Sequence, residues 1–316
     1  MDRNKQKKQA ALISIISNFT LIVAKFITGF LIGSFSIISE SIHSFTDLLA
    51  SFLAYYSIKK SSEPADIDHP YGHGKFEDIS ALFEGLLLFA ATVYIIYEAL
   101  NKIKHGVSIQ EGLNAGIYVM AFSCVVNICV SRHLYKVGKK TDSIALLADA
   151  KHLSADVWTS FGVLGGLVLI KLTKIPMIDP IIAIIIALMI AKSGYGICKT
   201  AIGNLLDSSL PEEDNKIIRE KIKVYMPKEI VEIRSIKTRK SGSEKLIDLI
   251  LVLPSDITLK DGHDLCDVIE NELMEEIKNS VITIHLEPCN KICEKCGYLT
   301  YHGHKCSDNN AFHQRH

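Results

Sequence analysis

Apolar residues gather in six long runs over the first two thirds of the chain, roughly at 10–32, 36–59, 79–102, 112–135, 143–171 and 178–202. Each run is about 20 residues or more, the length needed to cross about 30 Å of hydrocarbon at about 1.5 Å per residue. The pattern predicts six transmembrane helices, and the short Gly33-Ser34 connection makes the second return antiparallel to the first. The pattern changes at Asp207. Pro211-Glu212-Glu213 has the chemistry of a helix start and opens a helix to about Tyr225. IVEIRSIKTRKSG and EKLIDLILVLP read as strands around a Ser241-Gly242 turn, DITLKDGHDLCDVIENELMEEIK as an amphipathic helix, and SVITIHLEP as a last strand. The order αββαβ folds into a small sheet with helices on one face. The expected organisation is a basic lead at 1–9, a six-helix membrane domain at 10–206, a cytoplasmic α+β domain at 207–288 and a Cys/His-rich tail at 289–316. A unit of roughly 80 residues buries a modest core, so dimerisation would help it.

Composition agrees with a membrane protein: 48% of the 316 residues are hydrophobic and the mean hydropathy is +0.22. The formal net charge is zero, which gives a nucleic-acid partner no support. With the N-terminus inside, Arg3, Lys5, Lys7, Lys8, Lys59, Lys60, Lys75, Arg132, Lys136, Lys139 and Lys140 fall on the cytoplasmic side. Only Lys102, Lys104, Lys171 and Lys174 fall outside. Both termini are therefore expected in the cytosol of a multi-pass protein of the cell membrane. No small-residue cleavage site follows the first run, so it reads as a retained helix. The eight cysteines do not form a secreted disulfide framework, since they lie in spans, on a soluble helix and in a tail placed in the reducing cytosol.

The chemistry lies where the hydrophobic pattern is broken. The second run carries Glu40, His43 and Asp47, and the fifth carries Asp149, His152 and Asp156, at depths where an ionisable group is costly unless it serves a purpose. His43 and Asp47 are four residues apart, as are His152 and Asp156, so each pair projects from one helical face. Brought together, the pairs make a tetrahedral cage of two nitrogens and two oxygens. Two carboxylates balance the charge of a divalent ion, and two neutral imidazoles complete its shell. In an empty cage the same groups accept protons, so metal and protons compete for one site. Glu40 and Asp149 share the faces of these ligands, as supporting acceptors, structural caps or further ligands. Glu84 and Glu98, near the ends of the third run, read as interfacial, and Asn18 and Asn127 as interhelical packing groups.

Two further clusters suit metal. The loop SSEPADIDHPYGHGKFED sets Asp66, Asp68, His69 and His73 among tight turns at Pro64, Pro70, Gly72 and Gly74. The tail offers Cys289, Cys293, Cys296, His302, His304 and Cys306, more soft ligands than one zinc needs, in a spacing that matches no standard finger.

SESIHSFTDLLAS, PADIDHPYGHGKFE, ADAKHLSADVWTS and VITIHLEP together resemble the cation diffusion facilitator family of divalent-metal/proton antiporters, from the first span to about Pro288. The resemblance implies a homodimer of six spans with a ferredoxin-like, metallochaperone-like cytoplasmic domain, exporting metal from the cytosol by alternating access. By position it implies a transport site at His43, Asp47, His152 and Asp156 and a loop site at Asp66, His69 and His73. It further implies a boundary charge pair at Lys75 and Asp207 that links the two subunits. In the cytoplasmic domain it implies metal positions at His263, His285 and Glu287, with Asp248 as a further candidate. Arg234 and Ile250 stand where some members carry histidine, which puts the completeness of that last site in question.

Imidazole in the cage favours zinc, with cadmium, cobalt and iron(II) as further substrates; an all-oxygen set would favour manganese. The expected function is export of Zn2+ in exchange for H+, with zinc also as a regulatory ion. The competing reading is a membrane metal sensor without transport. An enzyme is not expected: there is no His-Glu-x-x-His stretch, and four protein ligands leave no open position for water.

Overall fold

The computed structural model describes residues 3–32, 35–105, 114–173, 177–226 and 228–289. Within these, the side chains of 29, 32, 35–43, 46, 102, 105, 114–120, 163–173, 178 and 179 are outside the description. The chain divides into two compact units, Met1–Leu206 and Asp207–His316.

The first unit is six helices: α1 (Arg3–Ile32), α2 (Phe35–Ser61), α3 (Phe76–His105), α4 (Asn114–Thr141), α5 (Ile144–Thr173) and α6 (Ile178–Leu205). The shortest has 27 residues, about 40 Å of helix, which exceeds the hydrocarbon thickness. Among the described residues, parts of α1, α3 and α6 are long and apolar enough to cross a membrane by length and composition. α2 and α5 carry the ionisable positions that interrupt the hydrophobic pattern.

The packing is inside-out relative to a water-soluble bundle. Large apolar side chains such as Phe19, Phe30, Leu31, Val93 and Tyr97 face outward, while Ser14, Asn18, Asp47, Glu77, Glu84, Asp149 and His152 are buried. Lipid on the outside accounts for the apolar surface, and most of these buried polar groups are paired with one another, Glu84 being an exception. α5 is the hub, touching every other helix of the unit. Its Ala145, Leu146, Ala150 and Leu153 pack with Ala10, Ala11, Ile58, Val130 and Leu134, while Ala148 and Ala155 join Ala81, Leu88, Ile186, Ile190 and Ile197. α3 and α6 approach closely at small residues. A Cβ on Gly85 would clash with Cys198 Sγ and meet the Gly194 carbonyl at 3.3 Å.

The second unit runs α7 (Glu212–Lys223), β1 (Glu232–Ser241), β2 (Glu244–Leu253), α8 (Leu259–Glu276) and β3 (Ser280–Pro288). This is the expected αββαβ order. β2 is central, antiparallel to β1 and parallel to β3. The tight β1–β2 hairpin turns at Gly242, whose φ of +58° suits glycine. Alternate residues of β2, Ile247, Leu249, Leu251 and Leu253, point into one core with Ile218 and Ile222 of α7 and Ile269 and Leu273 of α8. The opposite parity carries Asp248 and Ile250, aligned beside Thr283 and His285 of β3. α7 has acids in its first turn and lysines in its last, matching the helix dipole, and the Thr258 hydroxyl caps α8 by accepting from Asp261 N at 3.1 Å.

Candidate metal centre

The unbroken helices α2 and α5 fix the spacing on which the cage depends. Asp47 and His152 are buried and Asp156 is half-buried; one ligand atom from each lies within 4.8 Å of the others. His152 Nε2 is 3.1 Å from Asp47 Oδ1, and Nδ1 of the same ring is buried without a hydrogen bond. His43 stands one helical turn before Asp47 on α2, and its side chain is outside the described residues. The three described groups supply two negative charges and an imidazole, a set that matches a borderline divalent cation.

Polar neighbours hold these ligands in place. Asn18 on α1 donates to the Asp47 carbonyl at 3.4 Å and to Ser51 Oγ at 2.8 Å. Ser51 in turn donates to Asp149 Oδ1 at 3.2 Å and shares a hydrogen bond with Ser14 at 3.0 Å. Lys25, also buried, donates to Ser44 Oγ at 2.7 Å. The sequence reading of Asn18 as an interhelical group describes its contacts, and Asp149 takes the position of an acceptor behind the ligands.

The loop between α2 and α3 forms a second cluster. Asp66, His69 and His73 also bring their ligand atoms within 4.8 Å. Asp66 Oδ1 accepts from the His69 amide at 2.6 Å and lies 3.2 Å from His69 Nδ1, while Asp66 Oδ2 is 3.3 Å from His73 Nε2. The amide hydrogen bond, chiefly, and the two imidazoles hold the Asp66 carboxyl below its ordinary range. The His69 and His73 rings lie with centroids 4.5 Å apart, tilted by 41°, and His73 packs against Phe76. Gly72, at φ +80°, makes the turn that folds the histidines onto the aspartate.

The cytoplasmic candidates are differently placed. His263 is on the exposed side of α8, with Nε2 3.9 Å from Asp267, while Asp248 and His285 lie on the sheet. Glu287 is in an ion pair with Arg234, so a guanidinium already balances this carboxylate. Among the described residues, Asp248, His263, His285 and Glu287 do not bring three ligand atoms together. Cys289 is half-buried and its amide donates to the Leu253 carbonyl at 2.9 Å. Cys293, Cys296, His302, His304 and Cys306 lie outside the described residues. Lys75 donates to the Leu205 carbonyl at 3.3 Å within its own unit, and Asp207 is 3.4 Å from Arg239 Nη1 within its own.

Two features were not anticipated from the sequence. Glu84, expected at the interface, is fully buried because α3 is covered there by its neighbours. Glu77 is also fully buried and ties four segments together: it is 2.6 Å from Lys7 Nζ, accepts from Ser61 Oγ at 3.0 Å, and accepts from the Ser143 hydroxyl. Beside it Asp78 accepts from Asn204 of α6 at 2.7 Å. Glu77 and Asp78 lie in the first turn of α3, where acids suit the helix dipole without any buried partner. Lys7 belongs to the basic lead at 1–9, and its burial against Glu77 is a long-range contact that the local pattern does not encode.

Residues 11–206 match the model of the cation efflux transmembrane domain, and residues 210–289 match that of the cation efflux protein cytoplasmic domain. An uncharacterized transporter of Synechocystis sp. is 33% identical over 258 residues, spanning 81% of this chain and 82% of its own. Another, from Methanocaldococcus jannaschii, is 33% identical over 285 residues, spanning 89% and 99% respectively. The manganese efflux system protein MneP of Bacillus subtilis is 30% identical over 295 residues, spanning 91% and 98%. With both parts of the architecture matched and the helical bundle in place, the chain belongs to the cation efflux, or cation diffusion facilitator, family of multi-pass membrane transporters.

Proposed function

We propose that this protein exports Zn2+ from the cytosol in exchange for H+ by alternating access, as a homodimer in the cell membrane with both termini cytoplasmic. The observation that carries this reading is the meeting of Asp47, His152 and Asp156 inside a bundle whose outer surface is apolar. His43 supplies the fourth ligand from one turn away on α2. The dication neutralises two carboxylates whose burial would otherwise be costly. Protons satisfy the same groups when the metal leaves, so each ion displaces the other. The cytosolic loop cluster of Asp66, His69 and His73 binds zinc on the same side as the basic loops, and the cytoplasmic unit pairs the two protomers. Cd2+, Co2+ and Fe2+ pass by the same chemistry. The Cys/His tail collects metal in the cytosol.

A second cargo, Mn2+, is favoured by the name of the relative MneP. The imidazole of His152 inside the cage, with His43 as its partner, supports zinc over manganese. Purified protein in sealed vesicles with an imposed pH gradient tests both points when zinc, manganese and protons are followed together. The expected result is opposed movement of zinc and protons, abolished by Asp156→Ala, with manganese moving more slowly. Binding without flux would support a sensor instead, faster manganese flux would reverse the choice of cargo, and undiminished flux in Asp156→Ala would remove the proposed site.

A further inference from the structure

The bundle holds two acids that the cage does not use. Glu84 on α3 is fully buried, and neither of its carboxyl oxygens has a hydrogen-bond partner among the described residues. Asp149 on α5 is equally buried; Ser51 satisfies Oδ1 at 3.2 Å, while Oδ2 makes no hydrogen bond. α3 packs against α2, α5 and α6. From α5 comes Asp149: Ala81 and Leu88, on either side of Glu84, share one packed cluster with Ala148 and Ala155, on either side of Asp149. From α6 comes the thiol of Cys198, which donates to the Leu82 carbonyl at 3.9 Å; Asp47 of α2 and His152 of α5 also act on Asp149, and that one imidazole is shared with Asp47 and Asp156.

Two neighbouring carboxyl groups in so dry a place cannot both be anions without a positive partner. The smallest such partner is a proton, and the pair is well placed to exchange one. Asp149 is three residues before His152, about one helical turn nearer the start of α5, where the preceding Ser143 donates to Glu77 of α3. Through Ser51 and Asn18 it is joined to the backbone of Asp47.

We infer that Glu84 and Asp149 form a proton-holding pair adjacent to the metal cage, releasing a proton when the metal binds and taking one up when it leaves. With the cage empty, one proton is bonded to a carboxyl oxygen of the pair. A dication at Asp47, His152 and Asp156 favours both acids as anions, so the O–H bond breaks and the proton passes to water. When the metal departs, a proton from water re-forms that bond. Charge and atoms balance, and no other reactant is needed.

The inference rests on the proposed exchange, and its test separates the two. Purified full-length protein is titrated with Zn2+ in weak buffer, counting protons released per zinc bound by a pH dye while calorimetry gives the affinity. Glu84→Gln is expected to bind zinc about as tightly as the wild type while losing about one proton from the count. Glu84→Asp should restore the count, which a merely structural role for Glu84 would not predict. Asp149→Asn, on a different helix, should also lower it, so misfolding of one variant does not remove the test. An unchanged proton count in a folded Glu84→Gln or Asp149→Asn protein would overturn the inference and leave the metal cage standing. Failure of the wild type to bind zinc at all would overturn the exchange and this inference with it.

Discussion

At the scale of residues, the chain places its most expensive groups where each has a partner or a purpose. Lys7 and Glu77 are both almost without solvent contact, and their 2.6 Å pair is braced by Ser61 and Ser143. Removing one partner of such a pair leaves the other charge buried and uncompensated, a loss of about 3–5 kcal/mol. Lys7→Ala is therefore expected to lower the stability of the detergent-solubilised protein by that amount in denaturant unfolding. The double variant Lys7→Met, Glu77→Leu should recover most of the loss, and a double variant as weak as the single one would show that the pair does not bear that cost. The residue scale is also where reading the sequence succeeded and failed for clear reasons. His152 and Asp156 were legible because four residues is one helical turn, a local relation. The burial of Glu84 and the partner of Glu77 depend on which distant helix covers them, and no local pattern encodes that. The pairing of Arg234 with Glu287 is of the same kind, since it joins strands at opposite edges of the sheet.

At the scale of elements, length and periodicity did most of the work. The six apolar runs became six helices because a run of about 20 apolar residues has few other stable forms in lipid. Boundaries were less legible: α4 continues to Thr141 although its apolar run ends near 135. The added turn is basic, and Lys139 lies over the ring of Tyr135 at 5.0 Å, so the helix continues where hydrophobicity no longer reports it. In the second unit, β2 is the element that both edge strands and both helices need. Leu251 is completely buried there against α7 and α8. Leu251→Ala should destabilise the cytoplasmic unit by about 2–5 kcal/mol. Hydrogen exchange on the full-length protein should show faster exchange in β1, β2 and β3, with α1–α6 unchanged; equal loss of protection in the helices would contradict the independence of the two cores.

At the scale of the whole molecule, the family assignment and the geometry bear on different questions. The family gives cation efflux across a membrane; the proposed choice of zinc and the proposed exchange for protons are argued from the groups inside the bundle. Hydropathy made the membrane unit legible and the αββαβ order made the second unit legible. The cytoplasmic metal positions come from resemblance alone, and among the described residues no three of them bring ligand atoms together. The central claim is that one divalent ion sits between α2 and α5. An anomalous difference map at the zinc absorption edge, from crystals of the zinc-loaded protein, tests it most directly. The account predicts a peak about 2.0–2.2 Å from side-chain ligand atoms of His43, Asp47, His152 and Asp156. A map with zinc at the loop cluster and none between these two helices would contradict it.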